Sequence, residues 1–402
     1  MKDPAKDPAT RVQDLQYFGE FGGVNPSITD SSTFTFLKAD RMEEIFEKEI
    51  EGCYLYSRHW NPTNRYLAEA LAQMEGTESA QVMGSGMGAI TSFIMQLCEA
   101  GSHIVASRTI YGGTYAFLKN YLPKFNISVT FIDQTDLKSI ENAIQDNTKM
   151  VYCEALSNPL LEVADIPAIK KLAQAKDIPL VVDNTFTPLV LTPAELGADI
   201  VVHSLTKFIN GSSDTMGGAV CASKEFIDSL MDVNTGSAML LGPSMDSMRS
   251  ASILKNLRTL HLRMKQHSEN ALYVATQFEK DGISVKYPGL KSHPQNAIFE
   301  NQMNEAYGHS GMILINVGTK EKGYSFMEHM QNENIGYLAV SLGFYKTLFS
   351  APGSSTSSEI PMEEQEEMGL GEGLIRMSVG IDMDVKRTYE KMKDCMKKAG
   401  IL

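Results

Sequence analysis

VVHSLTKFINGSSDTMGG, residues Val201 to Gly218, runs from an apolar segment into small polar residues, with one lysine, Lys207, at the junction. Its first residues read as a strand without a solvent face, the kind found where a parallel sheet is covered on both sides. Upstream the same signature repeats in QVM, HIVAS, SVTFI, MVYCEA and PLVVDN. Helical segments fall between these runs: Arg65–Met74, AITSFIMQLCEA, TYAFLKNYL, and stretches starting at Asp136 and Ile166. Strands alternating with helices predict an α/β fold with a mostly parallel central sheet, assigned to residues 64–260. A helix-rich stretch from Asp246 to about Lys280 leads into a smaller α+β C-terminal domain, 261–402. Its strand candidates are SVKY, GMILINVG, YLAVSL and LIRMSVG, and a terminal helix follows Asp384. Residues 1–63 are interrupted by Gly, Pro, Ser and Thr and read as an extended arm, with one acidic helix near Ala39–Glu51.

Composition narrows the function. A chain of 402 residues is long enough for a large core and an enclosed pocket. A formal charge of -13 and a pI near 5.2 oppose binding to nucleic acid or to an anionic membrane. The opening MKDPAKDPATRVQDL has no apolar core segment and no later run spans a bilayer, so a cytoplasmic protein is expected. Five cysteines, odd in number and far apart, read as reduced thiols, and no Cys/His spacing points to a metal.

GSGMGA, Gly84 to Ala89, lies between a short strand and a helix, but its last glycine comes one place early for a dinucleotide fingerprint. An anion site at the helix start fits it, as does a purely structural tight turn. Asp183 follows one strand directly, and Ser204, Thr206 and Lys207 follow the next. In an open parallel sheet the carboxyl ends of strands converge on the ligand crevice, so these side chains can meet. Taken singly, the lysine reads as a solvated charge and the aspartate as a helix cap. The nearby aromatic loop TIYGGTY makes the combination harder to read that way.

From YSRHWNPTN to LIRMSVGID the chain resembles the pyridoxal-phosphate enzymes of cysteine and methionine metabolism, the trans-sulfuration family, of the aspartate-aminotransferase-like fold type I. VVHSLTKFINGSSD is the segment that carries this most specifically. The resemblance implies that Lys207 bonds covalently to the cofactor aldehyde and then moves a proton at the substrate Cα. It implies that Asp183 partners the pyridine nitrogen, and that Gly86, Met87, Ser204 and Thr206 grip the phosphate. By the same resemblance Tyr56 and Arg58 are expected to complete that grip from a neighbouring subunit of a homotetramer, a dimer of dimers. By the same resemblance Tyr111 stacks on the ring and donates a proton, and Asn158 bonds the ring oxygen, although Leu156 stands where the family usually has proline. Arg376, among apolar strand neighbours, needs a partner that the substrate carboxylate can supply; Ser341 resembles the family position that helps to seat substrate and lysine, and Thr356 is a further pocket candidate in the acidic, hydroxyl-rich stretch that follows Ala351.

The shared cofactor serves γ-elimination, β-elimination and γ-replacement alike. Cystathionine-processing relatives commonly carry a glutamate before the Ser-Leu-Gly run, whereas this chain has Val340. An apolar residue suits a methyl thioether and leaves a distal ammonium unpaired. The expectation is therefore γ-elimination of methionine to methanethiol, 2-oxobutyrate and ammonia, most like the methionine γ-lyases and their plant-like branch. The alternatives are lysis of cystathionine, sulfhydrylation of O-acetylhomoserine, or a non-enzymatic cofactor-binding regulatory or interaction protein. Gly113, where microbial members often have cysteine, and Lys346, where an acidic residue is usual, are departures from the pattern.

Overall fold

A computed structural model describes residues 7–47, 50, 52–355 and 360–402. Two sheets organise it. The larger contains β1 Ser79–Met83, β2 His103–Ser107, β3 Ser128–Ile132, β4 Thr148–Glu154, β5 Leu180–Asp183, β6 Ile200–Ser204 and β7 Gly218–Ala222, in the spatial order β1-β7-β6-β5-β4-β2-β3. The pairs from β6 across to β3 are parallel, as expected. Strand β7 was not expected: it inserts antiparallel between β1 and β6, which makes the sheet mixed. Its sequence GAVCA is built of small residues after a glycine-rich loop and carries little strand signal of its own. The central strands are buried along nearly their whole length, which explains their apolar runs.

Helices cover this sheet, and their ends are chemically marked. Pro62–Glu75 starts behind Asn61, whose side chain accepts the Thr63 N–H, and stops at left-handed Gly76. Gly86–Leu97 starts at Ser85, whose hydroxyl accepts the Gly88 N–H at 2.9 Å. The TYAFLKNYL helix begins over Gly112–Ala116 and widens into a π turn over Phe117–Tyr121. In the arm, the acidic helix spans Arg41–Glu47.

The smaller sheet contains β8 Ser284–Lys286, β9 Met312–Asn316, β10 Gly336–Leu338, β11 Thr347–Ser350 and β12 Leu374–Ser378, ordered β10-β11-β12-β9-β8. The helices Leu260–Lys280, Lys320–Asn332 and Val385–Lys398 pack a separate apolar core against it. The YLAVSL strand is shorter than its apolar run: it ends at Leu338, and Val340 and Ser341 leave the sheet. The four-residue β11, too short to signal itself, takes up pairing with β12.

The turn after Ser341 fastens the small sheet to the large one. Gly343 donates its N–H to Ser378 Oγ on β12 at 2.8 Å and lies against the backbone of Lys207 and Phe208. Its φ is +76°, and a Cβ there would stand 2.4 Å from Phe208 N and 2.8 Å from the Lys207 carbonyl carbon. Neither the conformation nor the space admits a side chain. Gly343→Ala is expected to lower stability by about 2–4 kcal/mol through left-handed strain plus backbone overlap. Urea unfolding at fixed protein concentration checks this, and an unchanged midpoint would show that the turn yields.

Candidate active site

Strands β4, β5 and β6 end at Glu154, Asp183 and Ser204, so three polar side chains reach one crevice. A cavity of about 270 Å³ opens there between the two sheets. It brings together Gly86, Met87, Tyr111, Asn158, Asp183, Ser204, Thr206, Lys207, Val340 and Arg376, all anticipated from the sequence. Behind β5 and β6, Glu75 Oε1 lies 2.7 Å from His203 Nε2 and accepts from Asn184 Nδ2 at 3.0 Å, bracing the two strand ends from the opposite face.

Lys207 is enclosed, and its Nζ donates to Ser341 Oγ at 3.3 Å. Burial and the nearby Arg376 charge lower its pKa to about 8. Asp183 is 8 % exposed; Oδ1 accepts the Thr185 N–H at 2.9 Å. Burial pushes its carboxyl up, while the Thr185 bonds and His203 pull it down. A buried carboxylate in this condition is completed by a cation.

Arg376, on β12, is 3 % exposed. Nη1 donates to Asn158 Oδ1 at 2.9 Å, and Nη2 faces the Ser341 carbonyl at 3.5 Å. Burial lowers its pKa to about 10, against the pull of Glu154. Among the described residues no carboxylate lies within ion-pair distance of this guanidinium. A buried guanidinium with only neutral near partners can pair with an anion that enters the cavity.

The helix start at Gly86 presents unpaired N–H groups at its first positions. A Cβ on Gly86 would meet Ser204 Cβ at 2.9 Å, so glycine keeps this cradle open. Thr206 Oγ1 accepts the Gly217 N–H at 3.1 Å and faces the Gly217 carbonyl at 3.3 Å. An amine, a buried carboxylate, an anion cradle and an aromatic ring around one cavity fit an anionic aldehyde with a basic ring nitrogen. Among the described residues no cluster could hold a metal ion.

Not all the expected residues assemble. Tyr56 and Arg58 do not line the cavity of their own chain. Tyr56 is exposed, and Arg58 Nη1 donates to the Met239 carbonyl at 2.8 Å with the guanidinium 5.7 Å from the Tyr56 ring centroid. Thr356 lies outside the described residues. Lys346 turns away and sits 5.1 Å from the Tyr337 ring centroid. Sequence reasoning missed Glu154, a buried carboxylate on the cavity wall. It ends β4 as Asp183 ends β5, and the two are paired in register.

Comparison with known proteins agrees with this geometry. Over 381 residues, 93% of this chain and 86% of the relative, it is 45% identical to a methionine γ-lyase of Arabidopsis thaliana. It is 37% identical to a cystathionine γ-lyase of Bacillus subtilis over 82% of this chain and 85% of that one. A crystal structure of a putative O-acetylhomoserine (thiol)-lyase from Campylobacter jejuni, which carries an N′-pyridoxyl-lysine monophosphate, superposes with a TM-score of 0.89 at 28% identity, covering 97% of this chain and 100% of that chain. The Cys/Met metabolism PLP-dependent enzyme profile matches residues 10–396. With nearly the whole chain inside that match, the protein belongs to this family, its fold is the aspartate-aminotransferase-like type I with a mixed sheet, and its cofactor is pyridoxal phosphate.

Proposed function

We propose that this enzyme eliminates the γ-substituent of L-methionine, giving methanethiol, 2-oxobutyrate and ammonia. The observation that carries the reading is the apolar side of the cavity, where Val340, Leu342, Met216 and Phe186 stand. A methyl thioether is at home against such a wall, whereas the distal ammonium of cystathionine loses water and gains no partner. We also assign the chain to the plant-like branch of these lyases, supported by its likeness to the plant relative.

The bound cofactor supplies an electron sink for charge released at the substrate Cα. Lys207 is the residue that would hold the cofactor aldehyde, and its free amine would take the substrate Cα proton and then assist proton movement at Cβ. Its lowered pKa favours the basic amine that this work needs. Asp183 holds the pyridine nitrogen in its protonated form. Asn158 commits Oδ1 to Arg376, which leaves its amide Nδ2 to donate to the ring oxygen. Gly86 and Met87 N–H groups, with the Ser204 and Thr206 hydroxyls, hold the phosphate. Arg376 binds the substrate carboxylate, Ser341 orients the lysine, and Thr356 is kept as a further substrate contact. Tyr111, on the cavity wall, would stack on the cofactor ring and supply a proton to the leaving thiolate.

Tyr56 and Arg58 complete the phosphate grip of a neighbouring subunit in a homotetramer built as a dimer of dimers. Phe18, Phe21, Val24 and Leu37 stand exposed on the arm, in accord with a second subunit covering it. Unpaired cysteines, four of them buried, accord with a cytoplasmic protein, and no helix among the described residues is long and apolar enough to cross a membrane. The domain limits proposed are an arm over 1–63, a cofactor domain over 64–260 and a C-terminal domain over 261–402.

Three outcomes are expected. In the cofactor-free protein an amine-acylating reagent should label Lys207 at a rate that rises with pH through a midpoint near 8, because the group is protonated below that value and free above it. A midpoint at the ordinary 10.5 would contradict the enclosed site. Arg58→Ala and Lys207→Ala should each lose about 10³-fold or more in turnover, yet mixed assemblies should regain part of it, since one site then receives both intact residues. Mixed assemblies that form and stay inactive rule out the shared site. Val340→Glu should move the ratio of kcat/KM for cystathionine over methionine upward by about tenfold or more. A wild type that prefers cystathionine, or acylated homoserine plus sulfide, overturns the substrate assignment and leaves the cofactor site untouched.

A further inference from the structure

Glu154 takes no part in the chemistry above, yet it is a carboxylate of 5 % exposure on the cavity wall. Oε1 accepts the N–H of Tyr111 at 2.8 Å, and Oε2 accepts the N–H of Asn158 at 2.6 Å. The two donors belong to different loops. One carries the phenol ring, and the other carries the amide that accepts from Arg376 Nη1 at 2.9 Å.

Two N–H groups aimed at the two oxygens of one side chain call for an acceptor-only group. An ionised carboxylate meets that demand. An amide of the same shape presents its NH₂ to one of the donors and leaves it unpaired in the interior. The charge is costly to keep, because Glu154 lies beside Asp183 in the sheet register. Burial and Asp183 hold its carboxyl well above the usual carboxylate range, and the Tyr111 and Asn158 N–H groups, with Arg376, offset this only in part. A buried anion beside another anion is retained where its bonds do something no neutral group can.

Tyr111 shows what that is. Tyr111 as a residue is 42 % exposed in this chain, and among the described residues its hydroxyl has no hydrogen-bond partner. Gly113 offers no side chain to back the ring; a Cβ there would stand 2.6 Å from Tyr111 Cε1. The direction of the ring therefore depends on where its backbone is anchored.

We propose that Glu154 is a positioning residue: its carboxylate ties the Tyr111 loop to the Asn158 turn, and so sets the phenol against the cofactor ring and the Arg376 anion site. This rests on the assignment of Tyr111 given above. It extends that assignment to a residue that holds the Tyr111 backbone and does not touch the reacting atoms.

The test compares Glu154→Gln with wild type, alone and in a Tyr111→Phe background, using the holoenzyme and whichever sulfur amino acid it turns over best. Glu154→Gln should retain cofactor, change the visible circular dichroism of the bound cofactor, and lower kcat about 30-fold. In the Tyr111→Phe background the same change should cost less than about threefold, because both substitutions act through one hydroxyl. Wild-type turnover and dichroism, or a loss that multiplies fully with that of Tyr111→Phe, overturns the proposal. Should Glu154→Gln not fold, Glu154→Asp keeps the charge and withdraws it by one methylene, and should show the same pattern at smaller size; wild-type behaviour there overturns it equally. A Tyr111→Phe enzyme with unchanged turnover removes the Tyr111 assignment, and this proposal with it. The dichroism is read without added amino acid, so failure of the methionine assignment leaves this test standing.

Discussion

A guanidinium cannot be buried alone. Arg376 comes from the small sheet and is 3 % exposed, with one neutral side chain, Asn158, as its near partner. Across the cavity the large sheet buries Glu154 and Asp183 side by side. Each of these charges, left in an apolar interior, costs several kcal/mol, and the cost falls when opposite charges share one enclosure. The two sheets are therefore constrained to meet with β12 facing the carboxyl ends of β4 and β5. Gly343 makes that approach possible by laying backbone on backbone at Lys207 and Phe208. The amine held in this field has its pKa drawn down toward neutrality by burial and by the same Arg376.

The parallel sheet also explains why so much of the site could be read from the chain. When strands run parallel their carboxyl ends lie at one edge, so a polar residue directly after an apolar run is already placed in the crevice. Asp183, Ser204 and Lys207 were found by this rule. Glu154 obeys it as well, closing the run TKMVYC as Asp183 closes LVV. A glutamate at a strand end ordinarily reads as a solvated charge, and only three-dimensional closure shows that this one is buried.

Other features had no local signal. Strand β7 is held by neighbours on both sides and needs no propensity of its own, so GAVCA looks like loop in isolation. Strand β11 is four residues long, and YLAVSL loses its second half because Val340 and Ser341 are drawn out of the sheet toward the cavity. Tyr56 and Arg58 illustrate another boundary. Within one chain they pack on each other and on Met239, which gives pattern or geometry no reason to assign them to a phosphate. Only family resemblance points to that role, which needs a phosphate site on a second subunit.

On the proposed reading, specificity in this cavity rests on an asymmetry between apolar and charged discrimination. An apolar wall such as Val340 and Leu342 separates substrates that differ by a methylene only weakly, by about 1–3 kcal/mol. It treats a charge differently, because an ammonium brought against it gives up hydration without compensation. Val340 is also 64 % exposed in the single chain, so the strength of that exclusion depends on how much water remains beside it. An arm or loop that covers Val340 raises the penalty for a charged distal group and hardly alters it for a thioether. On the proposed reading, selectivity for methionine is thus tied to assembly: the closure that completes the phosphate grip also dries the wall against which the substrate's sulfur rests.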